Sequence, residues 1–94
     1  MNPSAPCFLL VDDHALFRTG LGMMLAEHWP EAVMRHAGDW AQALSSARAL
    51  RPAPDLVLLD IQLPDGHGLD NLAQLQALLP DCPVLLMSAQ VDAE

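Results

Sequence analysis

Leu56-Val57-Leu58-Leu59-Asp60 is an unbroken apolar run that stops on an acid, and Leu63-Pro64-Asp65-Gly66-His67-Gly68 follows it closely. A run apolar on both faces reads as a buried strand of a parallel sheet, unlike the alternation of a half-exposed strand. The prolines and glycines behind it make the next residues a loop. The same signature recurs upstream in Cys7-Phe8-Leu9-Leu10-Val11, which ends in Asp12-Asp13. Downstream it recurs in Val84-Leu85-Leu86-Met87, which runs into Ser88-Ala89-Gln90.

Helical stretches fill the intervals. From His14 to His28 the apolar positions Phe17, Gly20, Leu21, Met24 and Leu25 keep helical spacing, with Asp13 placed as N-cap and Trp29-Pro30 as the stop. Phe17 is expected on the apolar face, Leu16 in solvent, and Met23-Met24 as core filler. Ala32 to Ala37 makes a short strand, and Gly38-Asp39 a turn and helix cap. The following helix turns Leu44 and Ala47 inward and is broken by Arg51-Pro52-Ala53-Pro54. A third helix ends at Pro80-Asp81-Cys82-Pro83. The expected strands are therefore 7–11, 32–37, 56–60 and 84–87, and the helices 14–28, 39–50 and 68–79. This βαβαβαβ order implies a parallel sheet with helices on both faces, and chemistry gathered at the carboxyl ends of the strands. Three of the four strands end there in polar residues: Asp12 and Asp13, Asp60, and Ser88.

Composition narrows what such an edge does. The 94 residues are 52% apolar, which supplies one packed core. Twelve acids against four arginines, with no lysine, give a net charge of −8. That balance is poor for holding nucleic acid and better suited to divalent cations or basic protein surfaces. Cys7 and Cys82 have no metal-site spacing and read as reduced, packed thiols. Met1 to Pro6 has no basic segment followed by an apolar stretch, so no signal peptide is expected, and no run is long enough to span a bilayer. A soluble cytoplasmic chain is expected.

Carboxylates brought to one sheet edge repel each other and need a counter-charge. Mg²⁺ suits them, because it takes a few carboxylates together with waters and phosphate oxygens. One carboxylate can then act as nucleophile towards a phosphoryl donor, giving an acyl phosphate. A hydroxyl such as that of Ser88 can bond a phosphoryl oxygen, and the backbone carbonyl of Gln62 can complete the metal shell.

Three blocks make the resemblance specific. Val11-Asp12-Asp13-His14-Ala15-Leu16-Phe17-Arg18-Thr19-Gly20-Leu21 resembles the opening of receiver domains in response regulators of the LuxR/FixJ/NarL type. Leu58 to Leu69 resembles that family's phosphorylation strand and the loop behind it. Leu86-Met87-Ser88-Ala89 resembles the strand that ends in the switch Ser or Thr and a small residue. The resemblance implies an α/β, flavodoxin-like (CheY-like) doubly wound sheet of strand order 2-1-3-4. It implies Asp60 as phosphoacceptor, and Mg²⁺ at Asp13 directly, at Asp12 through water and at the Gln62 carbonyl. Ser88 becomes the switch hydroxyl and Ala89 keeps room beside the phosphoryl group. The phosphodonor would be a histidine kinase, the domain no enzyme in its own right, and DNA would be reached only through a separate helix-turn-helix output domain.

The family also has an essential lysine at the end of a fifth strand, and this sequence has none. Residues 1–94 are accordingly expected to be an incomplete receiver, truncated before the fifth βα unit and lacking the output domain. Strand four would then be a bare apolar edge and the first helix uncovered, which predicts self-association as a dimer.

Plainer readings stand beside these. Asp12-Asp13 can be helix capping, and Asp60 and Ser88 can be turn residues at strand ends. His14, His28, His36 and His67 lack ligand spacing and read as solvated. Two other functions compete with the phosphoacceptor. One is a phospho-independent interaction module, a receiver fragment that cannot switch. The other is an aspartyl-phosphate hydrolase of the haloacid dehalogenase type, which needs an acid where this chain has Gln62.

Overall fold

The computed structural model describes residues 5–50, 53–60, 63 and 68–87. Seven elements alternate along them: β1 (Cys7–Val11), α1 (Ala15–His28), β2 (Val33–Ala37), α2 (Trp40–Ala49), β3 (Leu56–Asp60), α3 (Gly68–Leu78) and β4 (Val84–Met87). The four strands form one parallel sheet in the order β2-β1-β3-β4. This is the flavodoxin-like order expected from the sequence, in which the strand order reverses between β1 and β3 and opens a crevice at their carboxyl ends.

Alternation along β1 and β3 divides the interior into two layers. Leu9, Val11, Val57 and Leu59 point to one face and pack with Trp40, Ala43 and Ala47 of α2 and with Leu75 and Leu79 at α3. Phe8, Leu10 and Leu58 point to the other, where Leu21 and Leu25 of α1 and the capping Trp29 cover them. Trp29 meets Phe8 edge-on at 5.4 Å between ring centroids. The continuous apolar runs are therefore buried on both sides, which is why β1 and β3 do not alternate in sequence.

Three expectations change. The sheet-facing line of α1 is Arg18, Leu21, Gly22, Leu25 and the capping Trp29, whereas Phe17 is 42% exposed, Met24 56% and Met23 67%. Positions 17 and 24 are each one residue, about 100° of helix rotation, from that line, so the Met pair is no core filler. The N-cap of α1 is His14 instead of Asp13, with no side-chain cap bond. Finally, β4 is less buried than a central strand: it is the outer strand of the described sheet, and Leu85 and Leu86 are 54% and 41% exposed. Helix α2 does begin as expected, the Asp39 carboxylate accepting from the Gln42 amide at 2.8 Å. Cys7 and Cys82 are free thiols, both part-buried, and burial pushes both above the ordinary thiol pKa.

Candidate acidic site at the ends of β1 and β3

Pairing of Val11 with Leu59 brings the next residues, Asp12 and Asp60, side by side at the crevice. Asp60 is the last residue of β3 and 2% exposed, and Asp12 follows β1 with no exposed surface. The Asp12 amide donates to the Ala37 carbonyl at 3.0 Å, so β2 fixes where the chain leaves the sheet. The chain then turns sharply: the Asp12 Oδ1 atom accepts from the His14 amide at 2.7 Å, a side-chain turn two residues long. That turn, and not a helix cap, is the local role of Asp12.

Asp13 and His14 complete the cluster. One ligand atom from each of Asp12, Asp13, His14 and Asp60 can be chosen so that all four lie within 4.8 Å of one another. The His14 Nδ1 atom is 3.0 Å from Asp12 Oδ1 and 3.1 Å from Asp13 Oδ1. The hydrogen bond to Asp12, with the Asp13 charge next, raises the His14 pKa above its ordinary value. When protonated, His14 is a local counter-charge to the carboxylates beside it. The Oδ2 atom of Asp12 is buried and has no hydrogen-bond partner among the described residues. Acceptors in that state are rare in folded proteins, and a bound ion or water is the usual partner.

Three of the five expected site residues, Asp12, Asp13 and Asp60, come together here. Ser88 and Gln62, like Ala89 and residues 64–67, lie outside the described residues. Two neighbours were not legible as site residues. His14 is well exposed, as expected, yet it is bound to the acids and not merely solvated. Arg18, one helical turn further along α1, reaches back to the Asp12 carbonyl. Their positions in sequence, next to the acid pair and four residues on, were the available signal.

The donor set is all oxygen apart from one imidazole, which suits a hard divalent cation better than a thiophilic metal. A family model, the response regulator receiver domain, matches residues 8–94. The chain belongs to that family. Receiver domains of response regulators are two-component signalling modules, and the relatives of this one carry the names of transcriptional regulators. The DNA-binding transcriptional activator DevR/DosR of Mycobacterium tuberculosis is 35% identical over 85 residues, covering 90% of this chain and 38% of the relative. The probable transcriptional regulatory protein TcrX of the same organism is 41% identical over 83 residues, 87% of this chain and 33% of TcrX. The chain thus spans little more than a third of the length of these relatives. Among solved structures, a response regulator of Burkholderia pseudomallei with a phosphorylated aspartic acid, calcium ion and citrate superposes with a TM-score of 0.79. It is 26% identical, over 94% of this chain and 49% of that one. No helix among the described residues is long and apolar enough to cross a membrane.

Proposed function

We propose that this receiver domain takes a phosphoryl group from a histidine kinase on Asp60, with Mg²⁺ held by Asp12, Asp13, Asp60 and the Gln62 backbone carbonyl. The observation that carries this reading is the buried Oδ2 of Asp12, without a partner among the described residues, inside a compact cluster of acids. A buried acceptor without a donor costs about 1–3 kcal/mol, and a hard cation relieves it. When bound, the metal offsets the charge that accumulates where a phosphoryl group meets three carboxylates.

The residues of the chain divide the remaining work. An Asp60 carboxylate oxygen attacks phosphorus, the bond to the donor imidazole nitrogen breaks with its electron pair, and an acyl phosphate results. Asp12 and Asp13 hold the cation, Ser88 donates to a phosphoryl oxygen, and Ala89 leaves the space for it. The phosphorylated aspartic acid and calcium ion of the Burkholderia regulator support the same chemistry in this fold. We place the domain in a longer, cytoplasmic regulator of the LuxR/FixJ/NarL type; the names of the curated relatives support the transcriptional role. In that reading residues 1–94 are an incomplete receiver, and DNA is reached through a helix-turn-helix domain beyond it.

Beryllium trifluoride, a phosphoryl mimic, tests the site. With Mg²⁺ it should give protein-bound ¹⁹F resonances that vanish on chelation and in Asp60→Asn. A wild-type protein with no bound signal leaves the second reading, a phospho-independent interaction module. Self-association is part of either reading and is supported by the exposed Leu85 and Leu86 of the outer strand. Sedimentation as a compact monomer would remove it.

A further inference from the structure

Arg18 stands on the sheet-facing line of α1, where apolar residues otherwise cover the core. Its guanidinium makes two hydrogen bonds in different directions. Nη1 donates to the Asp12 carbonyl at 2.5 Å, and Nε donates to His36 Nδ1 on β2 at 3.1 Å. Beside it, a Cβ added to Gly38 would stand 3.6 Å from Nη1, so the turn after β2 borders the same group.

The backbone of Asp12 is consequently held from both sides. Its amide donates to Ala37 and its carbonyl accepts from Arg18. The Asp12 carbonyl belongs to the peptide plane that leads into Asp13, so fixing that plane fixes the direction of both acids at once. Groups that orient metal ligands from behind alter metal affinity without touching the metal. Arginine is suited to this because its planar fork presents several donors in fixed directions, whereas a lysine ammonium is a single point.

We propose that Arg18 is a positioning residue for the cation site, holding the Asp12–Asp13 peptide through the Asp12 carbonyl and itself aimed by the neutral imidazole of His36. The proposal rests on the phosphoacceptor reading and assigns Arg18 no contact with metal or phosphate. His36 accepts at Nδ1 only while that nitrogen is unprotonated. Facing its ring are Arg18 and Gly22 of α1 and, across the strand pairing, Leu10 of β1, so among the described residues Arg18 is the charged group it meets. Partial burial and the Arg18 charge keep His36 below its ordinary pKa, which preserves the acceptor near neutrality.

Calorimetric titration with Mg²⁺, between pH 5.5 and 8, tests the assignment in the wild type, Arg18→Lys and His36→Asn. Arg18→Lys keeps the charge and loses the two-way fork, and should weaken Mg²⁺ binding about tenfold with an unchanged circular dichroism spectrum. His36→Asn places an amide oxygen where Nδ1 was and does not titrate. It should bind as tightly as wild type at pH 8, then lose less affinity than wild type as the pH falls below about 6.5. Titration of the acids and of His14 affects both proteins alike, so the difference between the two curves reads His36. Arg18→Lys binding Mg²⁺ as tightly as wild type, or parallel curves for wild type and His36→Asn, overturns the proposal. Should Arg18→Lys not fold, the two pH curves decide alone. A wild type that binds no Mg²⁺ sinks the phosphoacceptor reading itself, which is a separate and recognisable outcome.

Discussion

His14 is tied to Asp12 twice, its backbone amide and its Nδ1 atom both reaching the same carboxylate oxygen, at 2.7 and 3.0 Å. The first contact shapes the turn after β1, and the second brings a titratable ring into the acidic cluster. In metal-free buffer its NMR titration should therefore fall above the ordinary histidine value of 6.5, chiefly through the hydrogen bond to Asp12. A raised folded-state pKa contributes stability that is present below about pH 6.5 and lost as the pH rises through the folded value. Asp12→Asn should move the midpoint back down. A His14 midpoint below 6.5 in the metal-free protein contradicts the contact.

His36 has the opposite sign. Burial, and then the Arg18 charge, lower its pKa, so the unfolded chain binds more protons in the window just below 6.5. Its share of stability is complete above about pH 6.5 and declines as the pH falls towards the folded value. Urea midpoints measured from pH 7 to 5 should drop less in His36→Asn than in the wild type.

Gly22 is the buried glycine of α1, and a Cβ there would meet Leu10 at 3.6 Å, Met34 at 3.8 Å and His36 at 3.9 Å. Those are ordinary contacts, so Gly22→Ala should stabilise the fold by about 0.5–1 kcal/mol through helix propensity. Gly22→Leu needs space that the sheet does not leave and should cost about 1–3 kcal/mol. Urea unfolding of both variants checks the pair. Equal destabilisation by Ala and Leu would show a closer approach than this.

Leu75 and Met23 separate the inner and outer faces. Leu75 is fully buried in the α2–α3 layer, so Leu75→Ala should cost about 2–5 kcal/mol. Met23 is 67% exposed, and Met23→Ala should stay within about 0.5 kcal/mol. A large loss at Met23 would mean that another surface covers α1 in solution.

The contrast between these residues shows what the sequence could disclose. β1 and β3 were legible because an apolar run with no alternation has few homes except the middle of a parallel sheet. Asp12 and Asp60 followed, since both end such runs and the order of elements puts the ends together. The inner face of α1 was not legible. Apolar side chains at 16, 17, 21, 23, 24 and 25 surround most of the helix, and the polar Arg18 lies on the line that faces the sheet. The roles of His14 and Arg18 come from contacts with a turn and a neighbouring strand, which no local pattern encodes. The apolar run of β4 matches β3 in composition, and its exposure follows from its place at the outside of the described sheet.

The central claim is that Asp60, in its cluster with Asp12 and Asp13, accepts a phosphoryl group. Incubation with a small-molecule acyl phosphate and Mg²⁺, followed by peptide mass mapping, tests it most directly. The account predicts one added phosphoryl group on the peptide containing Asp60, abolished by chelation and in Asp60→Asn. An unmodified wild type, or equal labelling of Asp60→Asn, would contradict it.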